Sequence, residues 1–212
     1  MLRWNTSSQL FAMPTADSKR AEAYLRRRYA ADRALAAMLL VLASPLRVAL
    51  ATWVVLCDGR PALYWDVRVV AGGAQVRIPK LRTYRRRHDP GSIQREADGR
   101  LSVESAEQDL LPGARPIRLV GLDELPQLVS VIRGEMALIG PRPQPPEFDV
   151  LNDWRPPWLR PGLLAVAAAG GRRALSIDER LQIDRRYAVE ASLRRDVAIV
   201  LRTALALAKG TR

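Results

Sequence analysis

ALAAMLLVLASPLRVALATWVVLC, residues 34–57, is the only long apolar run in the chain, and it is broken near its middle. As one straight helix its 24 residues would rise about 36 Å, enough to cross a bilayer core of about 30 Å. Ser44-Pro45 interrupts the run, with Arg47 close behind. Proline removes a helical hydrogen bond and bends the rod. The half before Pro45 is about 11 residues, or about 17 Å, too short to cross alone. Three arrangements fit: a kinked span, a helix that enters and leaves on one side, or a buried hairpin in a soluble core. The second puts the basic flanks, Arg26, Arg27, Arg28 and Arg33 before and Arg60 after, on the cytoplasmic side. It also leaves Arg47 nearer the interface. Backbone groups freed at the bend need partners, and the Ser44 hydroxyl is placed to help.

The chain has 212 residues, with 34 Lys plus Arg against 22 Asp plus Glu and a net charge of +12. Apolar residues at 48% and charged residues at 26% are ordinary globular usage and exclude wholesale disorder. The excess charge is almost all arginine, since Lys19, Lys80 and Lys209 are the only lysines. Arginine forks suit phosphates and anionic headgroups. One cysteine, Cys57, excludes an internal disulfide framework and multi-cysteine metal sites. One histidine, His88, argues against histidine metal sites and Ser-His-Asp catalysis. Chemistry is left to carboxylates, arginines and hydroxyls. The first 19 residues lack the apolar region of a secretory signal.

Beyond the apolar run, alternation over residues 61–83 predicts a β-hairpin turning at Gly72-Gly73. Residues 84–112 read as a long polar loop. Leu125, Leu128, Val129 and Ile132 predict a short amphipathic helix over 121–134, with Pro126 in its first turn and Gly134 as its stop. A strand is expected at Met136–Ile139, then an irregular stretch over 143–162. A capping box at Ser176–Glu179 opens a helix to about Glu190, and Ser192 precedes another.

Asp123-Glu124 opens the 125–133 helix. Such residues usually only complement the helix dipole. A carboxylate, however, is ionised near neutral pH and can attack phosphorus without a base. Its neighbour could hold Mg²⁺, which prefers hard oxygen ligands. Arg142 stands between two prolines that restrict its backbone, though an exposed loop arginine is the simpler reading. Lys80 and Arg82 at the hairpin end are candidate diphosphate contacts or a solvated strand edge. Asp184, Tyr187 and Asp196 lie on helix faces as ion-pair residues or ligand contacts. There is no P-loop, no G-x-G-x-x-G, and no helix-turn-helix or zinc-finger pattern.

GLDELPQLVSVIRGEMALIGPRP, residues 121–143, resembles the signature of bacterial sugar transferases, the small monotopic polyprenyl-phosphate phosphoglycosyl transferases. Asp32, Ser44-Pro45, the segment from Asp58 to Tyr64, Lys80–Thr83, Arg160-Pro161-Gly162, and the series Asp184, Tyr187, Ser192, Asp196 follow in the family's order. The resemblance implies an α+β monotopic membrane protein: a re-entrant helix broken at Ser44-Pro45, a small hairpin and interfacial amphipathic helices. It implies a polar segment at 1–25, the membrane helix at 26–57 and a catalytic unit at 58–212 on the cytoplasmic face of the inner membrane. It further implies that Asp123 attacks the sugar-linked phosphate of a nucleotide sugar, usually a UDP-sugar, releasing UMP. Polyprenyl phosphate then takes the phosphosugar, initiating glycan assembly such as exopolysaccharide or O-antigen. Glu124 would hold Mg²⁺, and Lys80, Arg82, Arg118, Arg142 and Asp196 would contact phosphate or nucleotide. Expected partners are these substrates, inner-membrane lipids, and further copies or other glycan-assembly enzymes, but no nucleic acid.

The chain departs from the pattern at several places. Gly121 replaces a serine, Glu135 an aspartate and Asp66 a glutamine, the segment 113–118 is reduced, and Leu163–Arg172 lacks the usual hydroxyl and amide. Two rival readings follow: a catalytically degenerate membrane-bound partner, and a soluble basic nucleic-acid-binding protein suggested only by charge.

Overall fold

The computed structural model describes residues 16–85, 93–95, 101–103, 109–146, 154–167 and 177–208. Helix α1 (Ala16–Leu42) and helix α2 (Ser44–Asp58) meet at Ala43 with a bend of 60°. Pro45 sits in the first turn of α2, where its missing N–H costs nothing. The Ser44 hydroxyl donates to the Val41 carbonyl at 2.7 Å, supplying the partner expected at the break. The first helix begins ten residues before the expected start at 26, so part of the polar leading segment is helical. By length and composition, no single helix among the described residues suffices to cross a membrane, but the bent pair does.

The hairpin forms as expected. Strand β1 (Leu63–Val69) pairs antiparallel with β2 (Gln75–Leu81), placing Tyr64 opposite Lys80 and Asp66 opposite Ile78. The polar stretch that follows carries a second short antiparallel pair, β3 (Ile93–Arg95) and β4 (Leu101–Val103). Helix α3 (Ala114–Val120) was not legible as a helix, because glycine and proline dominate its start. Its end is Gly121, at φ 78°, a left-handed conformation that the serine usual at this place adopts at a cost.

Residues 122–134 differ from the expected helix. Leu122–Gln127 is a 3₁₀ helix, and only Leu128–Arg133 is α-helical (α4) before Gly134 ends it. Pro126 disfavours α geometry at the residue before it, and Gly121 offers no side-chain cap. Asp123 and Glu124 therefore sit on a tight turn.

Strand β5 (Ala137–Gly140) pairs in parallel with β6 (Gly162–Ala165), a strand inside what reads as irregular sequence. Glycine is obligatory at this crossing. A Cβ on Gly162 would lie 2.0 Å from the Gly140 nitrogen, and one on Gly140 would lie 2.5 Å from the Arg160 carbonyl. Two amphipathic helices close the described chain, α5 (Ile177–Glu190) and α6 (Leu193–Ala208). Ser176, the expected cap, lies outside the described residues.

Three apolar clusters hold these pieces together. Leu25 and Tyr29 of α1 pack with Leu159, Val166, Tyr187 and Ile199. Ala36 packs with Ile78, Leu128, Val131 and Met136. Val54 of α2 packs with Leu81, Leu111 and Ala114. Both limbs of the bent pair thus attach to one body. The stretch around the bend instead exposes Met38, Val41, Leu42, Leu46 and Val48. α6 likewise presents Leu193, Val197, Val200, Leu201 and Leu205 outward. Apolar surface of this extent marks a site of association with a membrane or another protein.

Candidate active site

Strand alternation puts every second side chain on one face. On the hairpin that face carries Tyr64, Asp66 and Arg68 from β1, with Ile78 and Lys80 from β2. The 3₁₀ turn packs against it and sets its acidic pair over Lys80. Lys80 Nζ lies 3.2 Å from Asp123 Oδ2 and 3.3 Å from Glu124 Oε1. One ammonium thus bridges two adjacent carboxylates. Asp123 is only 3% exposed, while Lys80 and Glu124 reach the wall of a small polar cleft. Arg142 closes the cleft from the Gly140–Pro143 loop, and Leu163 and Ala165 of β6 complete it.

The Arg142 loop is held from behind. Arg155 is buried and donates to the Arg142 carbonyl at 3.1 Å and to the Val69 carbonyl at 3.3 Å. The Val69 N–H in turn donates to the Gln144 carbonyl at 2.9 Å. The loop after β5 is thereby tied to the end of β1.

Lys80, Asp123, Glu124 and Arg142 are therefore brought together. Three other expected substrate contacts are placed elsewhere. Arg82 forms an ion pair with Asp58 and donates to the carbonyls of Gly59 at 2.6 Å and Pro61 at 2.8 Å, fastening the end of α2 to the end of β2. Strand alternation explains this, since Arg82 comes two residues after Lys80 but beyond the end of β2, where the chain has left the face. Arg118 donates to Thr83 Oγ1 at 3.0 Å and stacks on the Tyr84 ring at 4.6 Å. Asp196 is 4% exposed and accepts hydrogen bonds from Tyr24 at 2.6 Å, Arg28 at 2.5 Å and Tyr187 at 2.7 Å. It binds α1, α5 and α6 to one another, which is the ion-pair alternative for that position. Arg28 also donates to the Ile139 carbonyl at 2.6 Å, and Asp32 accepts from the Leu138 N–H at 3.1 Å, so α1 fixes the strand that leads into the Arg142 loop.

The cleft contains residues not expected there from sequence: Asp66, noted only as a departure from the family pattern, its ion-pair partner Arg68, and Gln127. Half-buried Tyr64 lies near Asp123, and burial together with Asp66 and Asp123 raises its phenol above the usual range. The signal was the two-residue period of β1, which places Tyr64, Asp66 and Arg68 in line with Lys80. The departure at Leu164 has a structural meaning as well. Its side chain packs toward the cluster around Leu159 and Tyr187, so the missing hydroxyl is lost on the core side.

No group of three or more His, Cys, Asp or Glu side chains able to hold a metal occurs among the described residues. The adjacent Asp123-Glu124 pair is the donor set present. Mg²⁺ is commonly held by one or two carboxylates, with water and substrate phosphate filling the remaining positions, so these residues fit that ion in the presence of a diphosphate.

The profile of the bacterial sugar transferase family matches residues 23–210, and the chain belongs to that family. It is 34% identical over 209 residues to the UDP-glucose:undecaprenyl-phosphate glucose-1-phosphate transferase of Caulobacter vibrioides, covering 93% of this chain and 75% of that protein. It is 31% identical over 198 residues to the undecaprenyl-phosphate galactose phosphotransferase of Salmonella typhimurium, covering 88% of this chain but 41% of that protein. It is 30% identical over 195 residues to the exopolysaccharide production protein ExoY of Rhizobium meliloti, covering 85% of each.

Proposed function

We propose that this chain transfers a phosphosugar from a UDP-sugar to polyprenyl phosphate and so begins the assembly of a bacterial glycan. The observation that carries the reading is Lys80 bridging Asp123 and Glu124 beside Arg142. In the first step an Asp123 oxygen attacks the sugar-linked phosphorus. The bond from that phosphorus to the bridging oxygen breaks, and UMP leaves with the electron pair. In the second step an oxygen of polyprenyl phosphate attacks the same phosphorus and expels the Asp123 carboxylate. The products are UMP and polyprenyl-diphosphate-sugar. Two displacements at one carboxylate give ping-pong kinetics.

An anion attacking an anionic diphosphate meets repulsion. Lys80 and Arg142 offset it, and preorganised cations of this kind are a main source of transition-state stabilisation. Lys80 exchanges its contact with Asp123 for the incoming phosphate and keeps Glu124 in place. Glu124 would hold Mg²⁺, which would supply further charge neutralisation.

The bent pair supports insertion from the cytoplasmic face as a re-entrant hairpin. Its 15-residue second limb rises about 22 Å, short of the bilayer core, and both limbs end on the same body. α6 would lie along the interface on its apolar face.

The test is incubation of the detergent-purified chain with nucleotide sugars, Mg²⁺ and undecaprenyl phosphate, measuring UMP. Donor-dependent UMP release that Asp123→Asn abolishes, with a phosphosugar on Asp123 by mass spectrometry, is the expected result. Release that persists in Asp123→Asn overturns the reading.

A further inference from the structure

The cleft holds a pair of charges that the proposed transfer does not use. Asp66 and Arg68 share one face of β1 and line the cleft together with Lys80 and Arg142. Arg68 donates to Asp66 through Nε, at 3.0 Å, and through Nη2. Both bonds end on Oδ2, so Oδ1 carries no hydrogen bond among the described residues. The Arg68 side chain keeps 21% of its surface exposed and that of Asp66 27%. An exposed pair within one strand adds little stability, so stability does not explain it.

Charge and position do. Three cations, Arg68, Lys80 and Arg142, stand near three carboxylates, Asp66, Asp123 and Glu124. The transfer assigns Lys80 and Arg142 to phosphate. Arg68 alone would be a further seat for an anion, and Asp66 occupies it. Asp66 also stands where the family pattern has an uncharged glutamine, so what it adds to the cleft is charge.

Lys80 pairs with Tyr64 across the hairpin and Ile78 with Asp66, so Asp66 lies one same-face step, about 7 Å, along the sheet from the lysine row. A phosphorus attacked by Asp123 expels UMP in line, away from the carboxylate. The sugar leaves that phosphorus sideways, and the sheet face continues sideways to Asp66 and Arg68. Leu163 and Ala165 of β6, also on the cleft, offer aliphatic surface to the carbons of a sugar ring.

We propose that Asp66, by holding Arg68, makes this cleft select donors whose sugar is uncharged and reject those whose sugar carries a carboxylate. A uronate placed here would meet the Asp66 charge while Lys80 and Arg142 are taken up by the diphosphate, and such a repulsive element is a direct source of specificity. The assignment rests on the proposed function for the identity of the donor.

The experiment compares donors that differ only at C6. Each neutral UDP-hexose is paired with its own uronate, such as UDP-glucose with UDP-glucuronate. Donor kcat/KM is measured from UMP release with Mg²⁺ and undecaprenyl phosphate. The wild type is expected to prefer the neutral member a hundredfold or more. Asp66→Gln frees Arg68 and should narrow that preference tenfold or more through a rise for the uronate. Asp66→Glu should keep the wild-type preference, and Arg68→Met added to Asp66→Gln should cancel the gain. Asp66→Asn, almost the same shape as aspartate, takes the place of Asp66→Gln if the latter does not fold. A wild type that takes both members equally overturns the assignment. So does an Asp66→Gln that changes both by the same factor, because the pair would then touch only the UDP common to all donors or serve only the strand.

A binding arm separates this assignment from the proposed function. Affinities of the paired UDP-sugars are measured by calorimetry on the Asp123→Asn protein, with and without Asp66→Gln. The added substitution is expected to raise uronate affinity relative to the neutral sugar tenfold or more. An unchanged ratio, or binding of neither member of any pair, overturns the assignment. A wild type that releases no UMP from any donor defeats the proposed function instead, while the ratio of affinities still decides the role of Asp66.

Discussion

Arg155 holds Arg142 by its backbone: a buried guanidinium donates to the Arg142 carbonyl at 3.1 Å, and Arg142 lines the cleft. The same guanidinium reaches the Val69 carbonyl at 3.3 Å, so the loop is fastened to the hairpin that carries Lys80. Arg155 is thus a positioning residue. Arg155→Ala is expected to cost about 1–3 kcal/mol of stability through the carbonyls left unpaired. It should also lower kcat/KM for the donor by tenfold or more. Arg155→Lys, which cannot span two carbonyls with one planar fork, should recover the melting temperature better than the rate. Donor kinetics beside thermal unfolding check this. Equal recovery of both would mean that the arginine is only a brace.

Lys80 is expected to matter more than any arginine near the turn. It contacts both carboxylates, and among the described residues no other cation lies within ion-pair distance of Asp123. Lys80→Met should reduce the rate of UMP release about 10²–10³-fold, the usual cost of one preorganised electrostatic group. Arg82→Met, by contrast, breaks the pair with Asp58 and the bonds to Gly59 and Pro61. It should act mainly on the melting temperature, because none of those partners lines the cleft.

The comparison of Lys80 with Arg82 shows what sequence could convey. Local pattern sufficed for the hairpin, the Ser44-Pro45 break and the two closing helices, because each depends on near neighbours in the chain, whereas the acidic pair stood out only through the family pattern. The family pattern carried Lys80 and Arg82 together, but the end of β2 separates them in space. The strand β6 was hidden for another reason. A four-residue parallel strand is specified by its partner, and β5 lies over twenty residues away. Asp196 illustrates the same limit, since its three donors come from α1 and α5 and nothing local distinguishes a buried staple from a ligand contact.

Gly162→Ala tests the crossing that seats the Arg142 loop. The new Cβ would lie 2.0 Å from a backbone nitrogen, and the neighbour cannot rotate away as a side chain would. The β5–β6 pairing must therefore separate, carrying Arg142 with it. Expression of folded protein is expected to fall sharply, with a loss above about 3 kcal/mol where any folds. Gly73→Ala serves as the comparison. It has a positive φ of 77°, which Gly162 lacks, but meets nothing within 4 Å, so its cost should stay at about 1 kcal/mol.

Asp184 gives the chain a pH signature. Burial pushes its carboxyl up to about 7, with Arg155 and Arg180 opposing the rise in part. Between about pH 4 and 7 the unfolded chain has released this proton while the folded chain retains it. The folded state therefore binds more protons, and stability from this group falls as pH rises through that window. Asp184→Asn removes the titration. The variant-minus-wild-type stability difference should climb from about pH 4 to 7 by as much as about 4 kcal/mol, then level off. Melting temperatures of the two proteins across pH 4–9 check it, and a flat difference would mean that Asp184 ionises normally.

Cys57, exposed at the end of α2, makes the hairpin's topology measurable in the native sequence. A re-entrant pair returns to the face it entered, so Cys57 and the exposed start of α1 must lie on one side. A kinked span would put them on opposite sides. The contacts favour the first case, because Leu25 and Tyr29 near one end and Val54 near the other all pack into the same body. A membrane-impermeant maleimide is expected to label Cys57 in inverted inner-membrane vesicles and not in intact spheroplasts. Lys19→Cys in a Cys57→Ser background should behave identically, since Lys19 is exposed on α1. Straightening the break with Pro45→Leu and Ser44→Leu should convert part of the population to a span, moving Cys57 to the outer face. Opposite labelling of the two positions in the otherwise unaltered chain would make the pair a kinked transmembrane helix, and the packing of both limbs on one body would then have to be abandoned.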